Sequence, residues 1–159
     1  MSRGQRVAEV IERSVSGPMW HGPSLADLLG DVSASQAEEY PIGGAHSIWE
    51  LVLHVTAWTE IVRERLAGSA KAEPTAEEDW PPIVDKSAEG WRAAVERLKD
   101  AHRELAAEVA ALDDSQLIGR VPGREHSVLM MMHGVVEHDA YHGGQIALLK
   151  RALERRGLG

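Results

Sequence analysis

The chain has 159 residues, a formal net charge of −8 and no cysteine. A domain of that length buries enough surface to fold without staples, and the missing thiols exclude disulfides, cysteine zinc sites, iron–sulfur clusters and a cysteine nucleophile. The acidic balance speaks against a nucleic-acid binder, and there is no run of about 18 apolar residues to cross a membrane.

The apolar periodicity is helical nearly everywhere. A first helix is predicted from about residue 3 to 15, with Val7, Val10, Ile11 and Val15 on one side, and Gly17-Pro18 stops it. In WHGPSLADLL, Ser24 is placed to cap a short helix ending near Gly30, and Trp20 is expected to pack on the body of the protein from a rigid turn. A loop holds Tyr40 to Gly44. The second long helix begins at Ser47, whose spacing to Glu50 matches a capping box. Ile48, Leu51, Val55, Trp58 and Val62 form its stripe, and Gly68 ends it.

Residues 68–86 read as a connection rich in proline and acids, with the acids at 77–79 in a solvated loop. A third helix is expected after Ser87, with Trp91, Leu98, His102, Leu105 and Val109 on its stripe. A second loop covers 113–126. The fourth helix starts after Ser127 and runs to about Arg156, with Gly157 where a C-cap belongs. These elements predict an all-α fold, a four-helix bundle in one domain spanning 1–159. A helix of 20 residues is about 30 Å long, and extended chain covers roughly 3.3 Å per residue. The 68–86 connection can therefore cross that length and leave helices two and three parallel.

Eight histidines stand out in a chain without phenylalanine. At about 100° per residue, His142 falls near His138 on the fourth helix, inside the apolar stripe and one turn apart. Gln145 lies on the same side. On the second helix His54 sits at the edge of its stripe, so three imidazoles face the interior from two helices. Two histidines at i and i+4 bind one ion from adjacent turns, and imidazole suits Zn, Ni, Cu or Fe. Three protein ligands leave positions open for water or substrate. The competing reading is three satisfied core histidines, since the spacing also arises by chance.

HSIWELVLHVTAW at 46–58, followed by VVEHDAYHGGQIALLK at 135–150, resembles the DinB/YfiT-like family over nearly the whole chain. The WHGPSL stretch at 20–25 is similar to one branch of it. The resemblance implies an up-down-down-up four-helix bundle with a long crossover between helices two and three. It also implies a divalent ion, nickel or zinc, held by His54, His138 and His142, and a homodimer. Relatives of this kind include S-transferases that use low-molecular-weight thiols, an isomerase and hydrolases. The expected function is a metal-dependent enzyme, first a thiol-dependent S-transferase acting on an electrophilic small molecule. A hydrolase or a non-catalytic metal-binding stress module are the alternatives.

Other residues carry two readings each. Glu50 is a carboxylate orienting a ligand or a general base, or else the capping-box acid. Gln145 is a hydrogen-bond partner for ligand or substrate, or a polar plug. His102 is a fourth ligand or a core histidine. His46 and His126, beside helix starts, line a site mouth or sit in loops. Asp139 is expected on the surface. Val136, Ala140, Gly143 and Ala147 form a small-residue stripe for a close helix contact, within the fold or across a dimer. The opening stretch lacks a signal-peptide-like apolar core, so a cytoplasmic protein with no nucleic-acid or membrane partner is expected.

Overall fold

The structure is a computed structural model that describes residues 1–70 and 73–157; Lys71 and Ala72 of the predicted connection, and the last two residues of the predicted domain, lie outside the described residues. The described residues are all-helical, without strands: α1 (Arg3–Ser16), α2 (Leu25–Leu29), α3 (Ala34–Glu38), α4 (Ile48–Leu66), α5 (Ala76–Asp79), α6 (Ala88–Ala110), α7 (Asp114–Ile118) and α8 (Val128–Arg155). No described helix is long and apolar enough to cross a membrane.

Each described helix starts on a Ser, Thr or Asp whose side chain accepts a hydrogen bond from the third helical N–H. Such caps satisfy an orphan donor and contribute about 1 kcal/mol each. The expected caps Ser24, Ser47, Ser87 and Ser127 are all in place. Gly68 and Gly157 follow α4 and α8 with positive φ, the left-handed conformation that glycine adopts without strain.

The four long helices α1, α4, α6 and α8 contact one another pairwise, α1 against α6 and α8, α4 against α6 and α8. Their buried side chains form two apolar clusters. One gathers Val15, Trp49, Leu51, Val52, Trp91, Leu98, Ile146 and Leu149. The other gathers Ile11, Val62, Leu105, Val109, Met132 and Val135. On every long helix a polar residue lies between the segments that feed the two clusters: Ser14, Thr59, His102 and Asp139, all buried.

These four residues make one network. Ser14 Oγ lies 2.6 Å from Asp139 Oδ2, and His102 Nε2 lies 3.2 Å from Asp139 Oδ1 and 3.2 Å from Thr59 Oγ1. His102 Nδ1 donates to the Leu98 carbonyl at 2.8 Å. Donation from both ring nitrogens requires the imidazolium. Burial opposes that charge, but the Asp139 carboxylate and the Leu98 carbonyl outweigh it and raise the His102 pKa.

The structure corrects some expectations and decides between the readings left open for others. Asp139 is 2% exposed, not a surface residue. It points between α1 and α6, which a helix flanked on two sides makes possible. Trp20 is 99% exposed rather than packed on the body of the protein. The acids at 77–79 are solvated as expected at Glu77 and Glu78, but they form the short helix α5 rather than a loop, with Glu78 completing the Thr75 capping box. His102 is a core residue with its own partners, not a fourth ligand. Of the small-residue stripe, Gly143 serves a contact within the fold: a Cβ built on it would stand 3.5 Å and 3.6 Å from Leu25 and Leu28 of α2.

Removing one member of a buried charged pair strands the other. Asp139→Ala should therefore cost about 3–5 kcal/mol in urea unfolding, against about 1 kcal/mol for Ser14→Ala. Equal, small losses in both variants would contradict the charged pair.

Candidate metal centre

The predicted ligands converge. α4 presents His54, and α8 presents His138 and His142 one turn apart. His138 Nε2 lies 3.1 Å from His54 Nε2 and 3.1 Å from His142 Nε2. One nitrogen from each of the three residues lies within 4.8 Å of the others, a group that could hold a metal ion. A single ion about 2.1 Å from each nitrogen would need them roughly 3.3–3.6 Å apart, close to these spacings.

The chemistry of the donors fits an ion better than protons. His54 Nδ1 lies 2.7 Å from the Asp79 carbonyl oxygen, and His142 Nδ1 lies 2.7 Å from Gln145 Oε1. Each contact places the ring proton on Nδ1, because the partner only accepts. Both Nε2 atoms are then bare lone pairs aimed at His138. A neutral His138 carries at most one proton on Nε2, so it satisfies one of its two close neighbours and leaves the other contact repulsive. A cation would satisfy all three. Burial lowers the pKa of His54 and His142. It lowers that of His138 to about 4, with the two neighbouring imidazoles adding to the effect. The neutral, ligating form is thus the resting form at neutral pH.

The surrounding groups hold the rings in place. Trp80 stacks on His54 with centroids 3.9 Å apart and 9° between planes, and it also stacks on His46 at 3.6 Å. The Asp79 carboxylate accepts from Trp58 Nε1 at 2.6 Å and lies 3.2 Å from His54 Nδ1. A cavity of about 520 Å³ opens beside the triad. His54 and His138 line it together with Trp58, Asp79 and His126.

Of the residues given two readings, Gln145 holds the ring of His142, one of the three candidate ligands. Glu50 is the capping acid, accepting from the Ser47 N–H at 2.9 Å and from Tyr40 Oη at 2.7 Å, with His46 at 3.2 Å. His126 lines the cavity and His46 supports Trp80. Asp79 and Trp80 were not singled out from sequence as partners of His54. The signal was present in Thr75-x-x-Glu78, a capping box that starts α5, the short helix that carries Asp79.

The family model of the DinB superfamily matches residues 20–146 of the chain. The chain belongs to that superfamily, and the match includes all three histidines. Neither a curated protein nor a solved structure matches it.

Loss of a hydrogen bond to a ligand's second nitrogen typically costs 10–100-fold in metal affinity. Gln145→Ala should weaken zinc binding by about that factor in a chelator competition, with the circular dichroism spectrum unchanged; unaltered affinity would contradict the role given to Gln145. A second prediction concerns pH. Below the ordinary histidine value of 6.5 the unfolded chain takes up protons that the buried triad refuses. The metal-free protein should therefore lose stability as pH falls from 6.5 toward about 4. His102 acts in the opposite sense, its contribution being lost as pH rises through its raised pKa. Comparison with His138→Phe isolates the triad: its acid limb should be shallower, and identical slopes would contradict the assignment.

Proposed function

We propose that this member of the DinB superfamily is a divalent-metal-dependent enzyme whose ion, nickel or zinc, is held by His54, His138 and His142. The observation that carries the reading is the convergence of three Nε2 atoms, two of them fixed as bare lone pairs. An ion bound there would supply Lewis-acid activation of a thiol or of water.

The chain's own residues supply the rest. Asp79 and Gln145 set the tautomers of the outer rings, and Trp80 covers one face of His54. Gln145 is engaged at Nδ1 of His142, away from the converging nitrogens, so it does not block the open side of the site, one way in which a purely binding protein could close it. The cavity leaves room for a substrate on the side of His54 and His138.

The reaction we favour is S-transfer from a low-molecular-weight thiol to an electrophilic small molecule. A sulfur–carbon bond forms, the leaving group departs with its bonding electrons, and the thiol proton passes to solvent. Hydrolysis is the second reading, since the same cavity admits water.

The reading extends to the chain path and assembly. Glu60 pairs with Arg97, and Arg63 with Glu104 and Glu108, so contacts advance together along α4 and α6. Along α4 and α8 they run oppositely, His54 meeting His142 while Val62 shares a cavity wall with Met131. Both support an up-down-down-up four-helix bundle with the crossover between α4 and α6. Val7, Val10, Leu129 and Val136 line an open groove that a homodimer would cover.

The test is conjugate formation between small thiols and 1-chloro-2,4-dinitrobenzene by nickel- or zinc-loaded protein. The expected result is a thioether product, reduced at least roughly tenfold in His142→Ala. Ester hydrolysis without conjugate would favour the second reading, and neither activity would overturn the enzyme assignment.

A further inference from the structure

We infer that the cavity beside the triad accepts an uncharged, mainly apolar small molecule, and that His126 reads a polar group at the end of it remote from the metal ligands. The inference deepens the function proposed above and rests on the triad being the reacting end.

The volume, about 520 Å³, lies in the range of sites that enclose one small organic molecule. Its apolar wall comes from two helices: Trp58 and Val62 of α4, Met131 and Val135 of α8. The polar groups are few and mostly spent. Thr59 donates to the Val55 carbonyl at 2.9 Å and accepts from His102. The Asp79 carboxylate, engaged by Trp58 and His54, stands at the cavity edge. No lysine or arginine is among the described residues that line the cavity. The Arg65 guanidinium, on the Trp58 ring at 5.5 Å from its centroid, is paired to Glu73. In the metal-free protein a carboxylate or phosphate entering here would meet no counter-charge among the described lining residues and would face Asp79, a costly arrangement. A neutral molecule meets neither penalty.

His126 differs from the other polar lining groups. It stands just before α8, where its carbonyl accepts from the Val121 N–H at 3.1 Å and the Val128 N–H donates to the Gly119 carbonyl at 2.9 Å. The turn is thereby fixed, yet no described residue hydrogen-bonds the half-buried ring. Neutral imidazole offers one donor and one acceptor. It can therefore read a hydroxyl, carbonyl or amide on a molecule whose body lies against Trp58 and Met131.

The test uses two isosteric probes, 2-naphthamide and 2-naphthoate, on the full chain treated with chelator so that no ion attracts the carboxylate. Binding is read from the Trp58 indole N–H resonance, assigned with Trp58→Phe. The expected result is a Trp58 shift with naphthamide and at least about tenfold weaker binding of naphthoate. His126→Leu should weaken naphthamide roughly tenfold, and His126→Gln, which keeps a donor and an acceptor, should recover part of it. Equal affinity for the two probes, or no Trp58 response, would overturn the cavity assignment. Full naphthamide affinity in both variants would remove His126 from it. Zinc uptake by the same preparation separates the claims. Charge-selective binding without zinc uptake would sink the metal reading and leave this one standing, and zinc uptake without selectivity would do the reverse.

Discussion

The buried polar layer that crosses the middle of the helices is the constraint on which the rest of the structure depends. Two apolar clusters would pack well on their own. Between them every long helix instead contributes a polar residue, and these are satisfied by one another and by backbone carbonyls. A half-made network of this kind would cost more than an apolar core, so it demands one register among α1, α4, α6 and α8. Asp139 is the hub. It follows His138 directly in the chain, so the bonds that lock Asp139 to Ser14 and His102 also fix the rotation of α8. That rotation turns His138 and His142 toward His54.

The triad thereby acquires its shape from backbone and core rather than from itself. Its outer rings are pinned from behind by Asp79 and Gln145, and its pKa values are held down by burial. The site is neutral, rigid and short of protons, which is the state a transition metal needs from imidazole. No lysine or arginine is among the described residues that line the adjoining cavity, so a bound ion would supply positive charge that the lining itself does not.

Much of this was legible in the residues. Serine caps and helical stripes marked the four long helices to within a residue or two, and helical spacing put His54, His138 and His142 on interior faces. The supporting groups were harder to see. Asp139 falls about 100° from His138 on the helix, which suggests solvent if a helix has one buried face. α8 touches both α1 and α4, so its buried arc is wider. Asp79 and Trp80 lie in a stretch dominated by proline and acids, where no period reveals that a single helical turn places a carbonyl against His54. Trp20 shows the opposite failure. Large aromatic residues usually find cover, and nothing in the local sequence marks this one as exposed.

The central claim is that the three imidazoles hold one ion between them. Metal content by plasma mass spectrometry, on untagged protein purified without chelator, tests it most directly when His54→Ala and His138→Ala are measured alongside. The account predicts close to one equivalent of a divalent transition metal in the wild type and its loss in both variants. A folded wild type that carries no metal, and takes up none on exposure to nickel, zinc, iron or manganese, would contradict it.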